Sequence, residues 1–254
     1  MMRPRIIPIL LLNGAGLVKT TEFANPKYIG DPINAVKIFN DKEVDELILL
    51  DIHPNTKQAG PNFGKLKEIA GECFMPLSYG GGINSVEMAR ELLGIGIEKV
   101  ILNTAAYTDP RLVPELAARF GSSTIVGSID VRRSWLGKEA VYINNGSDKI
   151  PLSPVEWAAE LQRRGVGEIV INAVSRDGTM SGYDLDLVKR VAKAVSLPVV
   201  AAGGGRDLAD FKAAVQTSGA SAVAAGAMFV FHGRHRAVLI TYPTEAETAD
   251  LWRE

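Results

Sequence analysis

The chain has a single cysteine, Cys73, among 254 residues, which excludes an internal disulfide and fits a reducing compartment. Histidines number three. Two of them, His232 and His235, stand three apart on what reads as the last helix. No cysteine or carboxylate lies near them, so a surface or partner-facing role is expected rather than metal ligation. No apolar run approaches the roughly 20 residues of a membrane span. The first run, Ile6 to Leu12, is too short for a leader peptide and passes into a turn. A formal net charge of −1 gives no reason to expect nucleic acid or an anionic membrane as a partner. There is no P-loop, no Ser-His-Asp arrangement and no metal motif, so no cofactor and no metal are expected. These absences predict a soluble, cytoplasmic chain.

What is present is ordinary in amount, 46% apolar and 22% charged, and regular in its order. Short apolar runs, expected as strands, lie at residues 5–12, 46–51, 75–79, 99–102, 124–130, 168–173, 198–201 and 222–225. Between them, segments such as "INAVKIFNDK", "SVEMARELLGIG", "LVPELAARFG", "SPVEWAAELQRRG" and "LDLVKRVAKAV" carry apolar residues at helical spacing with charge on the other face. Eight strands, each followed by a helix, predict an α/β fold of the (β/α)8 type, a TIM barrel. The halves also echo each other. "MPLSYGGGIN" returns as "LPVVAAGGGRD", a shift of 123 residues from Gly80 to Gly203, and "IGIEKVILNTAA" returns as "SGASAVAAGAMF" at the same shift. "DELILLDIHP" returns as "GEIVINAVSRDG" at a shift of 122. The expectation is one barrel domain over residues 1–254, built from two similar half-barrels.

Parallel barrels place their chemistry where strands end. Gly80-Gly81-Gly82 and Gly203-Gly204-Gly205 each follow a strand and precede a helical segment, where backbone N–H groups can approach a phosphate. One strand later in each half come the small-residue stretches Asn103-Thr104 and Gly226-Ala227. Two phosphate cradles on opposite sides of one mouth are expected, and a ligand phosphorylated at both ends would span them. Asp130 closes "TIVGSID", the position of an acid or base, with a structural carboxylate as the alternative. Asp51, which ends "LILLD", fits either role. "SRDGTMSGYD" sets Asp177, Gly178 and Thr179 in the loop after the sixth strand, aimed at a ligand or closing a turn before a helix cap. The first strand ends instead in Leu10-Leu11-Leu12. At the opposite end, Arg5, Glu46, Lys99 and Glu168 begin strands one, two, four and six. The plain reading is four solvated strand starts, and the alternative is a closed ring of ion pairs. Cys73, in "GECFMP", reads as core or linker and not as a nucleophile.

The motifs "RII", "GDP", "DELILLDI", "YGGGI", "NTAA", "GSID", "RGVGEI" and "RDGTMSGYD", with the second glycine run, resemble the cyclase subunit of imidazole glycerol phosphate synthase over nearly the whole chain. The resemblance implies a barrel that receives ammonia from a separate glutaminase bound at its bottom. Two aspartates at the top, ending strands one and five, then cleave and cyclise a bisphosphate ribulosyl substrate. It implies that Asp130 is the strand-five aspartate and that Arg5, Glu46, Lys99 and Glu168 ring the ammonia entrance. By the same resemblance, Gly81, Gly82, Asn103, Thr104, Asp177, Gly178, Gly204, Gly205, Gly226 and Ala227 serve phosphate binding. Two positions depart from the pattern. Leu11 stands where the strand-one aspartate belongs and cannot move a proton. Ala227 stands where a serine hydroxyl usually faces the second phosphate.

"IPILLLNGAGLVKT", "GDPINAVKIFN", "AGECFMP" and "FHGRHRAVLITYP" are more similar to a branch of that family from bacterial polysaccharide loci. There a second cyclase-like barrel works with a second glutaminase-like subunit and an ATP-dependent amidotransferase to turn an acetamido sugar into an acetamidino sugar. The resemblance therefore implies an ammonia-conducting synthase subunit acting on a surface-polysaccharide (O-antigen) sugar. Its expected partners are a glutaminase subunit, an ATP-dependent amidotransferase docked on the basic, aromatic tail, and a phosphorylated sugar ligand. The alternatives are the cyclase, a lyase, of histidine biosynthesis, against which Leu11 argues, and a non-catalytic phosphate-binding scaffold.

Overall fold

The apolar runs become parallel strands that close on themselves in the computed structural model, which describes residues 3–134 and 137–252. The barrel strands are β1 (Arg5–Asn13), β2 (Leu47–Asp51), β3 (Leu77–Gly80), β4 (Lys99–Leu102), β5 (Ile125–Arg133), β6 (Glu168–Ala173), β7 (Val199–Ala202) and β8 (Ala222–Ala225). Each pairs with the next, and β8 pairs with β1. The outer layer holds α1 (Pro32–Asp41), α2 (Phe63–Gly71), α3 (Val86–Gly94), α4 (Leu112–Phe120), α5 (Pro154–Arg164), α6 (Leu185–Ala194) and α7 (Leu208–Gln216). The chain is thus a (β/α)8 barrel. Local signals set the helix starts. Asp31 caps α1, and Ser153 and Glu156 form a reciprocal capping box on α5, which Gly165 ends in a left-handed conformation.

A strand sends alternate side chains to opposite faces, so in a closed barrel every second residue points at the axis. On β1 those residues are Arg5, Ile7, Ile9 and Leu11. Ile7 packs inside with Ile48, Ile101, Val126, Val170, Val200, Ala222 and Ala224, a core separate from the larger one between strands and helices. The same alternation carries Glu46 below Ile48, Lys99 below Ile101 and Glu168 below Val170. It carries Asp130 two positions above Ser128 and Asn172 two above Val170. One interior column therefore has charges at its base and the candidate chemistry at its mouth.

Three short antiparallel additions escaped the periodicity. Gly16–Thr21 pairs with Ala24–Gly30 as a hairpin hinged on β1. β5 runs on to Arg133 because Glu139–Ile143 pairs with its upper half. The segment expected as the last helix, with His232 and His235, is instead a hairpin in which Phe231–His232 pairs with Ala237–Val238. Its turn holds Gly233 at φ +68 and Arg236 at φ +50, left-handed angles that end any helix there. The last helix comes later, α8 (Glu245–Leu251), opened by the Thr244/Glu247 capping box. Among the described residues no helix is long and apolar enough to cross a membrane.

The seam between β5 and β6 depends on close backbone approach. A Cβ on Gly167 would run into the Ser122 carbonyl group and the backbone of Ser123. Gly167→Ala should therefore lower stability by about 1–3 kcal/mol, read as a drop in Tm; an unchanged Tm would show that this seam gives way freely.

Candidate functional site

At the base of the column Arg5 pairs with both Glu46 and Glu168. Lys99 closes the circuit from the other side, its Nζ 3.0 Å from each of the same two carboxylates. Ser78 Oγ donates to Glu46 Oε1 at 2.7 Å. The four charges are thus a ring and not separate solvated strand starts. Glu46 and Glu168 are buried, and each charge faces two of opposite sign. Burial works against the charge of Arg5, but Glu168 and Glu46 outweigh it and hold the guanidinium more firmly protonated.

At the other end the strand termini and loops enclose a cavity of about 500 Å³. Leu11, Asp51, Asp130, Asn172 and Asp177 all line it, as do both glycine runs. Asp130 is the buried carboxylate, 8% exposed. Its two oxygens accept from Asn172 Nδ2 at 3.1 Å and Asn103 Nδ2 at 3.2 Å. Burial pushes its pKa up to about 7, with the hydrogen bond from Asn172 opposing, Asp177 adding to the rise and Arg132 opposing it. Such a carboxyl is poised to take or give a proton near neutrality. Strand β1 lies four strands away, across the mouth, and presents Leu11 to the same cavity. That wall offers methyl groups, so the mouth has one proton-transfer group from β1 and β5 where the resemblance implies two. Asp51 is raised too, chiefly by burial, and accepts from the His53 backbone N–H at 2.9 Å.

The two sides of the mouth are built alike. Gly81 and Gly82 lie at φ +121 and +70, and Gly203 and Gly204 at φ +83 and +105, angles that favour glycine, and all four line the cavity. Short helices start one strand later, at Thr104 and at Ala227, and neither has a side-chain cap. Their first-turn N–H groups are left for solvent or an anion. Gly226 admits Lys19, whose Cε lies 3.0 Å from where a Cβ would stand. Lys19 is 4% exposed and pairs with Asp177 at 2.8 Å. Asp177 and Gly178 therefore face the cavity, while Thr179 donates to the Arg176 carbonyl and closes the turn.

Lys19 and Asn172 were missed in the sequence; Asn172 carried a signal, a polar residue on the inward parity of an apolar strand, whereas Lys19 opens the polar run Lys19-Thr20-Thr21 and carried none. Among the described residues no three His, Cys, Asp or Glu side chains gather as a metal would need. Cys73 is half-buried beside Met75, and burial pushes its thiol up to about 11, the behaviour of packing and not of a nucleophile.

The sequence profile of the family described as histidine biosynthesis protein matches residues 5–235. A protein of Pseudomonas aeruginosa provisionally named imidazole glycerol phosphate synthase subunit hisF2 is 51% identical over 96% of this chain and 97% of its own length. One from Leptospira interrogans, provisionally named subunit HisF, is 42% identical over 99% of this chain and 100% of its own. The imidazole glycerol phosphate synthase subunit HisF of Alkaliphilus metalliredigens is 36% identical over 91% and 92%. This chain belongs to the HisF family. As a HisF-like synthase subunit it keeps a carboxylate on β5 and the ring at the base, and it carries Leu11 on β1.

The buried Asp130 charge makes a pH prediction. Its folded pKa lies above the unfolded value of 3.8, so the folded state binds the extra proton between the two. The carboxylate therefore costs stability above about pH 7, and that cost fades as pH falls toward 4. Asp130→Asn should raise stability at pH 8, by up to about 4 kcal/mol at 1.36 kcal/mol per unit. In thermal unfolding across pH 4–8 the gap between the two proteins should vanish at the acid end; a gap independent of pH would contradict this.

Proposed function

We propose that this chain is the ammonia-conducting synthase subunit of a glutamine amidotransferase complex, fed by a glutaminase subunit docked at the base of the barrel. The observation that carries the reading is the contrast between the two ends of one column. The charge ring at the base is complete, whereas the mouth has Leu11 in place of the first acid. A barrel under no demand to admit ammonia has no use for four converging charges. One that still cyclised its substrate would need both acids. Ammonia then leaves for an acceptor outside the family's usual reaction, and the acetamido group of a surface-polysaccharide sugar, modified with an ATP-dependent amidotransferase, is the acceptor we infer.

The base also offers a foothold for the glutaminase. Phe74, at the loop into β3, is 86% exposed. It is not loose, because its N–H donates to Asn40 Oδ1 at 3.0 Å while Asn40 Nδ2 donates to the Glu72 carbonyl. A large exposed ring on a backbone held in place, at the same end of the barrel as the charge ring, has the character of an interface anchor. The glycine cradles and Asp130 favour a second reading, cyclisation of a bisphosphate substrate; Leu11 weighs against it.

The test is Lys99→Ala in the reconstituted complex. Removing this cation leaves Glu46 and Glu168 with one cationic partner each, and broken buried pairs relax or rearrange. Glutamine hydrolysis should continue, nitrogen transfer from glutamine should fall several-fold, and transfer from added ammonium salts should fall less. Unchanged coupling and assembly would refute the conduit. Phe74→Ala should separately weaken glutaminase binding by about tenfold or more, a loss of at least about 1.4 kcal/mol, as measured by titration calorimetry; equal affinity would remove Phe74 from the interface.

A further inference from the structure

Strand order divides the mouth into two unlike flanks. One glycine cradle stands at the ends of β3 and β4, and the other at the ends of β7 and β8. A ligand that spans them passes the ends of β1 and β2 on one side and those of β5 and β6 on the other. On each side the inward residues are register partners: Leu11 lies beside Leu50, and Asp130 lies beside Asn172. All four line the cavity. One flank is therefore branched hydrocarbon, and the other presents a carboxyl and a carboxamide.

The hydrocarbon flank is continuous. Ile9, one inward position below Leu11, also lines the cavity. Gly80 makes room for Leu50, because a Cβ there would come within 2.9 Å of Leu50 Cδ2. Asp51, the residue after Leu50, has the opposite parity. Its oxygens accept from the His53 N–H at 2.9 Å and the Tyr79 hydroxyl at 3.5 Å. A ligand hydroxyl seated on Leu11 and Leu50 would give up water and receive no hydrogen bond in return. A methyl group seated there would leave water at a gain. Hydroxyl and amide groups find their partners across the mouth. Apolar walls with a few placed polar groups are what fix a small ligand's orientation.

We propose that the mouth is a binding site for a sugar phosphate with a methyl-terminated substituent, N-acetyl or deoxy, which packs on Leu11 and Leu50 while the sugar's polar groups meet Asp130 and Asn172. Leu11 is then a specificity determinant and not only a missing acid. The proposal rests on the reading of the glycine runs as phosphate cradles and narrows the class of acceptor sugar inferred above. It does not depend on ammonia conduction.

The test compares affinities by titration calorimetry within two matched pairs. N-acetylglucosamine 1-phosphate against glucose 1-phosphate exchanges an acetamido group for a hydroxyl. Fucose 1-phosphate against galactose 1-phosphate exchanges a methyl for a hydroxymethyl group. We expect the methyl-bearing member of at least one pair to bind about tenfold more tightly or better. Preference in the first pair alone assigns an N-acetyl sugar, and in the second alone a deoxy sugar. Leu11→Asn, close in volume, should cut the preference to about twofold or less, with the affinity for inorganic phosphate unchanged, whereas Leu11→Met should keep it. The comparison in the unmodified protein needs no variant to fold. The proposal is overturned if the members of each pair bind equally or not at all, or if the preference survives in Leu11→Asn. Inorganic phosphate serves as the control: its binding without any preference faults the hydrocarbon flank, and its failure to bind faults the cradles. No glutamine or ammonia enters these measurements, so a failed conduit and a failed sugar site give separate results.

Discussion

Closure of eight parallel strands with a two-residue side-chain repeat is the constraint from which both ends of this molecule follow. Once Ile7 is committed to the axis, Arg5 must also point inward below it and Leu11 above it. No adjustment of the loops can turn Leu11 outward without a slip of register, which would expose Ile7 and bury the opposite face of β1. The base is under the same rule. Arg5, Glu46, Lys99 and Glu168 come from four different strands, and inward parity alone makes them converge. Their convergence then demands mutual neutralisation, since a lone charge among Ile7, Ile48 and Val170 would be expelled or lose its charge.

The two ends can consequently change independently. Several layers of apolar side chains separate the ring from the mouth, so the loss of an acid at position 11 leaves the four ion pairs undisturbed. The mouth is otherwise conservative in construction: paired glycine turns, paired uncapped short helices, and one carboxylate held between two asparagine amides. Lys19 and Asp177 join the hairpin over the mouth to the loop after β6, and the Glu22 N–H donates to the Asp177 carbonyl at 2.9 Å. The two departures, Leu11 and Ala227, both replace a polar group with hydrocarbon. This HisF-family barrel thus combines a closed ring of charges at its base with Leu11 opposite Asp130 at its mouth.

Much of this was legible in the sequence. The strand and helix periods predicted the barrel, and the glycine runs and strand ends pointed to residues that do line one cavity. From the residues alone the ring was only an option, which the family resemblance favoured, because strand-start charges are indistinguishable from solvated ones until the parity of all four strands is known together. Lys19 and Asn172 went unnoticed for a related reason: the direction of each polar side chain depends on register. The hairpins at residues 16–30 and 231–238 were invisible to apolar periodicity, since the first is short with only its outer strand facing solvent and the second turns on left-handed residues. His232 and His235 were misplaced on a helix for that reason.

The central claim is that the mouth of this barrel has lost cyclase chemistry while the column beneath it is intact. The most direct measurement supplies the purified chain with the bisphosphate ribulosyl substrate and an ammonium salt, which bypasses any glutaminase, and follows imidazole product. With one of two cooperating acids missing, the account predicts turnover on the order of 10²–10⁴ below that of a relative carrying both. Turnover equal to such a relative would contradict it and return this chain to the cyclases.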